Sequence, residues 1–182
     1  MNKILLLLTI LTFTKCGADF KYPTCDIIPE HNEYCEAEKY GFKPYYNIED
    51  AIECSKNTGR PILIMFTGYG CVAVRGMNWE ILVEKEIKNL IDNYYILTVL
   101  YVDDKTKLSV IDTSQKSVTG KIIETVGQKN SNLQITSFNT NAQPFYVFVN
   151  NKMVELSEPL GYTPLIDKDV FISHLEKGIE NK

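Results

Sequence analysis

The stretch Gly59-Arg-Pro61-Ile-Leu-Ile-Met-Phe66-Thr-Gly-Tyr-Gly-Cys71-Val-Ala-Val-Arg75-Gly-Met77 holds a chain break, an unbroken apolar run, a glycine-containing turn and then one cysteine. A continuous apolar run of this length between turn signals is the pattern of a strand buried on both faces, in a sheet covered by helices. A second such run is Ile96-Leu-Thr-Val-Leu-Tyr-Val102. Between the two, Val74, Met77 and Ile81, then Ile87, Leu90 and Ile91, recur at helical spacing and predict either one kinked helix or two. Strand, helix, strand of this kind implies parallel strands joined by a right-handed crossover.

Working outward, Asn47 and Asp50 resemble the start of a capped helix. Ile48, Ala51 and Ile52 share its apolar face, and Gly59 with Pro61 stops it. Downstream, residues 103–131 are rich in Lys, Thr, Ser and Asp around an apolar Ile122-Ile123 patch and read as a long polar loop, its lysines solvated; 131–138 read as a short helix. Pro144–Val149 and Lys152–Leu156 flank Asn150-Asn151, which predicts a hairpin with a two-residue primed turn. A last helix begins near Asp167, with Phe171, Leu175 and Ile179 on one face. The order is α, β, α, β, loop, α, β-hairpin, α: an α/β domain over 47–182 whose central mixed sheet is flanked by helices.

The start of the chain is of another kind. A lysine at position 3 and a nearly all-apolar run from Ile4 to Phe13 match the charged and hydrophobic regions of a secretion signal, and the run is too short to span a bilayer. Two processing routes fit residues 1–18. Cys16 and Ala18 are small residues ahead of a cut before Asp19, while Cys16 also suits the lipid anchor of a bacterial lipoprotein, although Lys15 fits that motif poorly. Residues 19–46 hold three prolines and no clear period, and read as an irregular extension. After either cut Cys25, Cys35, Cys54 and Cys71 remain, with three fully paired connectivities open. An exported chain meets an oxidising compartment, where a Cys25–Cys35 bridge would staple the extension.

The 182 residues suffice for one core, and 45% hydrophobic with 23% charged residues is a globular composition. A net charge of −4 with no run of five or more like charges argues against a nucleic-acid partner. His31 and His174 are far apart in sequence and no metal-ligand spacing is present, so neither a metal nor another cofactor is expected. Trp79, Tyr94, Tyr95 and Tyr101 lie in or beside apolar runs and read as core or rim.

The chemistry centres on Cys71. A cysteine that opens a helix after a strand meets backbone N–H groups and the positive end of the helix dipole, which favour thiolate over thiol, and Arg75 adds a positive charge one turn on. The segments GRPILIMFTGYGCVAVRGM, LYVDDK and NAQPFYVFVN resemble thioredoxin-like domains of bacterial envelope proteins, especially the C-terminal domain of the thiol:disulfide interchange reductases. The resemblance covers roughly 47–180 and implies a thioredoxin-like fold, with Cys71 as the first, attacking cysteine of a Cys-X-X-Cys motif. Two departures stand out. Val74 replaces the resolving cysteine, and Met65 replaces the buried acid that helps move its proton. The resemblance also makes Pro144 the family's cis-proline and puts Gln143, Pro144, Tyr69 and Gly70 in contact with substrate.

The expected partner is a protein or peptide bearing a disulfide or thiol, met in a bacterial periplasm or cell envelope, with a membrane tether if Cys16 carries lipid. Two functions follow: monothiol exchange through Cys71 in envelope redox homeostasis, or a redox-inactive module that holds an extended peptide beside Pro144. A structural role as a tethered scaffold is a third.

Overall fold

A computed structural model describes residues 25, 36–70, 79–109, 115–161 and 167–182. Residues 1–24, with the expected secretion signal and Cys16, and residues 26–35, with His31 and Cys35, lie outside the described residues. So do 71–78, with Cys71, Val74 and Arg75.

The first helix, α1 (Ile48–Thr58), starts where the Asn47 side chain accepts from the Asp50 N–H at 2.7 Å and stops at Gly59, whose φ of 71° suits a residue without Cβ. Strand β1 (Ile62–Thr67) follows and is buried along its whole length. After 71–78 a short helical turn over 79–82 ends at Val83-Glu84, and α2 (Lys85–Tyr94) begins, so the described part of this crossover is broken rather than continuous. Strand β2 (Ile96–Tyr101) is again wholly buried. The remaining elements are α3 (Val126–Phe138), β3 (Phe145–Val149), β4 (Glu155–Leu160) and α4 (Lys168–Glu180). Asp167 caps α4 as the sequence predicts, accepting from Asp169 N–H at 2.8 Å.

The sheet runs β2-β1-β3-β4, with β1 and β2 parallel and the other pairs antiparallel. Alternation along the strands builds two cores. Leu63, Met65, Leu97, Val99, Tyr146 and Phe148 face α2 and α4, where Ile87, Ile91, Phe171 and Leu175 meet them. Ile62, Ile64, Phe66, Leu100, Val147 and Val149 face the other way, onto α1 and the Leu133 and Phe138 of α3. Each large side chain so covered contributes roughly 1.5–3 kcal/mol.

Three expectations need correction. The long polar loop is shorter and the helix after it longer, because α3 starts at Val126 behind a capping box in which Thr125 and Gln128 satisfy each other's backbone. Its buried face is Gly127, Asn130 and Gln134, which carry no hydrophobic period. The hairpin does not turn in two residues: Asn150 N–H donates to Val154 C=O, leaving Asn151, Lys152 and Met153 in the loop. Met153 takes a φ of 61°, and the Asn150 side-chain oxygen accepts from the Lys152 and Val154 N–H groups.

The third correction is the disulfide. Cys25 is bonded to Cys54 of α1, with Cα atoms 5.5 Å apart, and not to Cys35. Cys54 is buried where α1 meets the sheet, so the bridge ties the extension to the domain rather than closing a loop within it. Past Cys35 the extension packs a 3-10 helix (Glu36–Tyr40) on the opposite core, with Tyr40 and Phe42 against Trp79 at ring separations of 5.6 and 6.1 Å. Tyr45 then adds one bridge to the outer edge of β2, exchanging backbone bonds with Leu97 and Val99. The described part of the extension is thus seated on both cores and on a sheet edge.

Candidate active site at the C-terminal ends of β1 and β2

Parallel pairing brings the ends of β1 and β2 together, with Thr67 opposite Tyr101. Because β3 is antiparallel to β1, with Phe66 opposite Phe145, the residues that precede β3 arrive at the same edge. Three connections therefore converge: 68–70 after β1, 102–104 after β2 and 139–144 before β3. In open sheets of this kind the crevice beyond the strand ends is the usual place for a ligand.

The first connection is held by the second. Val102 N–H donates to Thr67 C=O at 2.8 Å, extending the ladder by one residue. Beyond it the Asp103 carboxylate accepts from Tyr69 N–H at 2.8 Å and from Gly70 N–H at 2.9 Å. Gly68 is buried under this bridge, and a Cβ there would stand 3.2 Å from Asp103 Oδ2. The Tyr69 ring stacks on Tyr101 with centroids 3.8 Å apart. This turn delivers the chain to Cys71, the next residue after Gly70.

The second connection is held by α3. Asn130, buried, donates from Nδ2 to Tyr101 C=O at 2.9 Å, and Gly127 N–H donates to Asp104 C=O at 2.9 Å. A Cβ on Gly127 would overlap the Asp104 backbone, so only glycine lets the helix approach this closely.

The third connection is held from within. Gln134, fully buried on α3, donates from Nε2 to Ala142 C=O at 2.7 Å. The Gln143–Pro144 peptide bond is cis, Pro144 is buried and Gln143 half-buried, its amide donating to Asn141 C=O at 2.9 Å. Of the residues named from sequence, Tyr69, Gly70, Gln143 and Pro144 thus lie on the connections that converge at this edge.

Met65 lies one layer below. It is 1% exposed, between Val99 and Tyr146 in the strand register. The Tyr146 hydroxyl is buried with no hydrogen-bond partner among the described residues, and burial pushes its phenol far above the ordinary range. Neither side chain exchanges a proton near neutral pH. His174, the described histidine, is remote from this edge, bonded to Ser157 Oγ at 2.9 Å and stacked on Phe148.

Asn130 and Gln134 are absent from the sequence reading, and Asp103, within the LYVDDK segment, has no site role there. The spacing of Gly127, Asn130 and Gln134 was the available signal: three and four residues apart, they share a helical face that is small and polar instead of apolar.

No protein-family model matches the chain, and no curated protein matches it. Solved structures do. The oxidoreductase DsbH superposes with a TM-score of 0.54 at 18% identity, over 76% of this chain and 86% of that one. The fold is thioredoxin-like. A disulphide isomerase from Xylella fastidiosa Temecula1 reaches a TM-score of 0.49 at 14% identity, over 82% of this chain and 95% of that one. Among the described residues no helix is long and apolar enough to cross a membrane.

Proposed function

We propose that this chain is an exported thioredoxin-like protein that takes part in thiol–disulfide exchange as a monothiol through Cys71. The observation that carries the reading is the turn at Tyr69-Gly70, pinned at the end of β1 beside the connection that bears Gln143–Pro144. A cysteine handed over at that point meets a peptide lying along the Gln143 backbone, the arrangement that strand-addition recognition uses.

The step is a displacement. The Cys71 thiolate attacks one sulfur of a substrate disulfide, a mixed disulfide forms, and the other substrate sulfur leaves as a thiolate. Release requires a second thiol, which attacks Cys71 Sγ or the substrate sulfur and takes up the new disulfide bond. Val74 cannot supply it. With Cys25 and Cys54 bonded to each other, that thiol comes from an external donor or from Cys35. Export, by the segment 1–18 with or without lipid on Cys16, places the domain 47–182 in a bacterial envelope, where such disulfides persist.

A redox-inactive binding module is the second reading, favoured by Met65 and by the Tyr146 hydroxyl, which has no hydrogen-bond partner among the described residues. The pH dependence of iodoacetamide alkylation at Cys71, mapped by mass spectrometry, separates the two. A midpoint well under about 8.5 supports exchange. A midpoint at or above that value, with binding of extended peptides sensitive to Gln143 and Pro144 but not to Cys71→Ser, makes the chain a binding module.

A further inference from the structure

The two sulfurs of the Cys25–Cys54 bridge differ in access. Cys54 is 1% exposed on α1, in the core that holds Tyr45, Ala51, Ile62 and Ile64, whereas Cys25 packs against that core from outside and is half-buried. The buried sulfur also has a polar neighbour: the Tyr45 hydroxyl donates to Cys54 Sγ at 3.4 Å. Burial, with Asp50 adding to it and Arg60 opposing, holds the Tyr45 phenol above its ordinary value, so near neutral pH it keeps the proton that it donates. The segment that carries Tyr45 does not depend on the bridge. Ala37 and Phe42 are buried in the opposite core, Lys88 of α2 donates to Gly41 C=O at 3.2 Å and lies 4.1 Å from the Phe42 ring centroid, and Tyr45 is bonded to the backbone of β2.

Thiol exchange attacks the sulfur that can be reached and expels the one whose thiolate is better stabilised. A disulfide sulfur is a weak acceptor and a thiolate a strong one, so the Tyr45 bond tightens as the bridge opens. We infer that the Cys25–Cys54 bridge is a second thiol–disulfide exchange site, attacked at Cys25 by an external dithiol, with Cys54 as the leaving group and Tyr45 as the residue that receives it. One thiolate of the dithiol bonds to Cys25 Sγ, the Cys25–Cys54 bond breaks, and its electron pair leaves on Cys54 Sγ. The second thiolate of the dithiol then attacks its own sulfur in the mixed disulfide and expels Cys25. The dithiol ends as a disulfide, and Cys25 and Cys54 end as thiols with the two electrons and two protons that it gave up. The opened state suits the core, because Cys54 becomes a small apolar side chain and the Tyr45 hydroxyl keeps its acceptor. This site shares no residue with the one at the far ends of β1 and β2 and does not rest on exchange through Cys71.

Replacing the other cysteines in the full chain, by Cys16→Ser, Cys35→Ser and Cys71→Ser, isolates the bridge, so that failure of exchange at Cys71 is not mistaken for failure here. The folded protein is incubated with dithiothreitol or with glutathione, quenched in acid, alkylated in denaturant and mapped by mass spectrometry. Dithiothreitol should open the bridge without denaturant while the circular dichroism of the fold is retained. Glutathione should be found on Cys25 in roughly tenfold excess over Cys54. Tyr45→Phe, which keeps the ring and the backbone bonds to Leu97 and Val99, should slow opening by roughly tenfold. Loosened packing alone would do the opposite, exposing Cys54 and speeding the reaction. A bridge that is missing before reduction, or that opens only in denaturant, overturns the site. Glutathione shared evenly between the two sulfurs, or placed on Cys54, overturns its polarity, and an equal or faster rate in Tyr45→Phe overturns the part given to Tyr45.

Discussion

At the end of the sheet where β1 and β2 begin, half-buried Arg60 and buried Tyr95 reach backbone carbonyls; where those strands finish, Asp103 reaches backbone N–H groups from an exposed position. The Arg60 guanidinium sits among the carbonyls of Ile91, Asp92 and Tyr95, closing the last turn of α2. Tyr95, 2% exposed, donates its hydroxyl to Leu175 C=O at 2.7 Å, against Gly178, where a Cβ would strike the phenol. That end joins four elements around one buried ring. The other end joins three connections around an exposed carboxylate and two glycines. Side chain to backbone bonding closes both, but the Tyr95 hydroxyl is bonded in a dry environment, whereas the Asp103 carboxylate is bonded in an exposed one.

Stability should therefore be lost mainly at the first end and function mainly at the second. Tyr95→Ala is expected to have the largest effect, a loss of roughly 3–5 kcal/mol in chemical denaturation, because it opens a cavity between α4 and the sheet and removes the buried hydroxyl bond to Leu175 C=O. A loss below about 1 kcal/mol would mean that the two ends do not differ as described. Gln134→Ala tests the intermediate case, a buried bond that serves the exposed end. It should cost about 1–2 kcal/mol and also weaken peptide binding at Gln143–Pro144, since Ala142 is no longer held. Stability loss with unchanged peptide binding would assign Gln134 to the core alone.

The same contrast explains what was legible in the sequence. β1, β2, α1 and α4 announce themselves because their buried residues are apolar and their caps local: Asn47, Gly59 and Asp167 act within a few residues. The parts that position the site act across long separations. Asp103 reaches back 33 and 34 residues to Gly70 and Tyr69, and Asn130 reaches 29 to Tyr101. No local pattern marks such a partner, and Asp103 reads simply as the first residue of a polar loop. The start of α3 was hidden for the same reason, its buried face being polar where periodicity looks for apolar residues. The Cys25–Cys54 bridge spans 29 residues between an irregular segment and a helix, a pairing that spacing cannot choose.

The smallest effect at neutral pH should come from Tyr146, which sharpens the contrast because it is as buried as Tyr95 but its hydroxyl has no hydrogen-bond partner among the described residues. Removing an unpaired buried hydroxyl leaves nothing stranded, so Tyr146→Phe is expected to leave stability within about 1 kcal/mol of wild type, or to raise it. The two proteins should part in alkali. Burial raises both the Tyr146 and the Tyr95 phenols above the ordinary value near 10, so the folded state keeps protons that the unfolded chain gives up. Fewer protons bound in the unfolded state means that stability falls as pH rises: the contribution is complete below about pH 10 and is lost progressively above it. Each such phenol steepens the fall by up to about 1.4 kcal/mol per pH unit. Tyr45 adds to it in the wild type and the variant alike, through burial first and Asp50 second. Tyr146→Phe should therefore show a shallower loss of stability between about pH 10 and 12, measured by urea denaturation across that range. Parallel pH profiles would mean that the Tyr146 hydroxyl reaches water or a partner, and that this layer of the core is wetter than its packing against Phe171 allows.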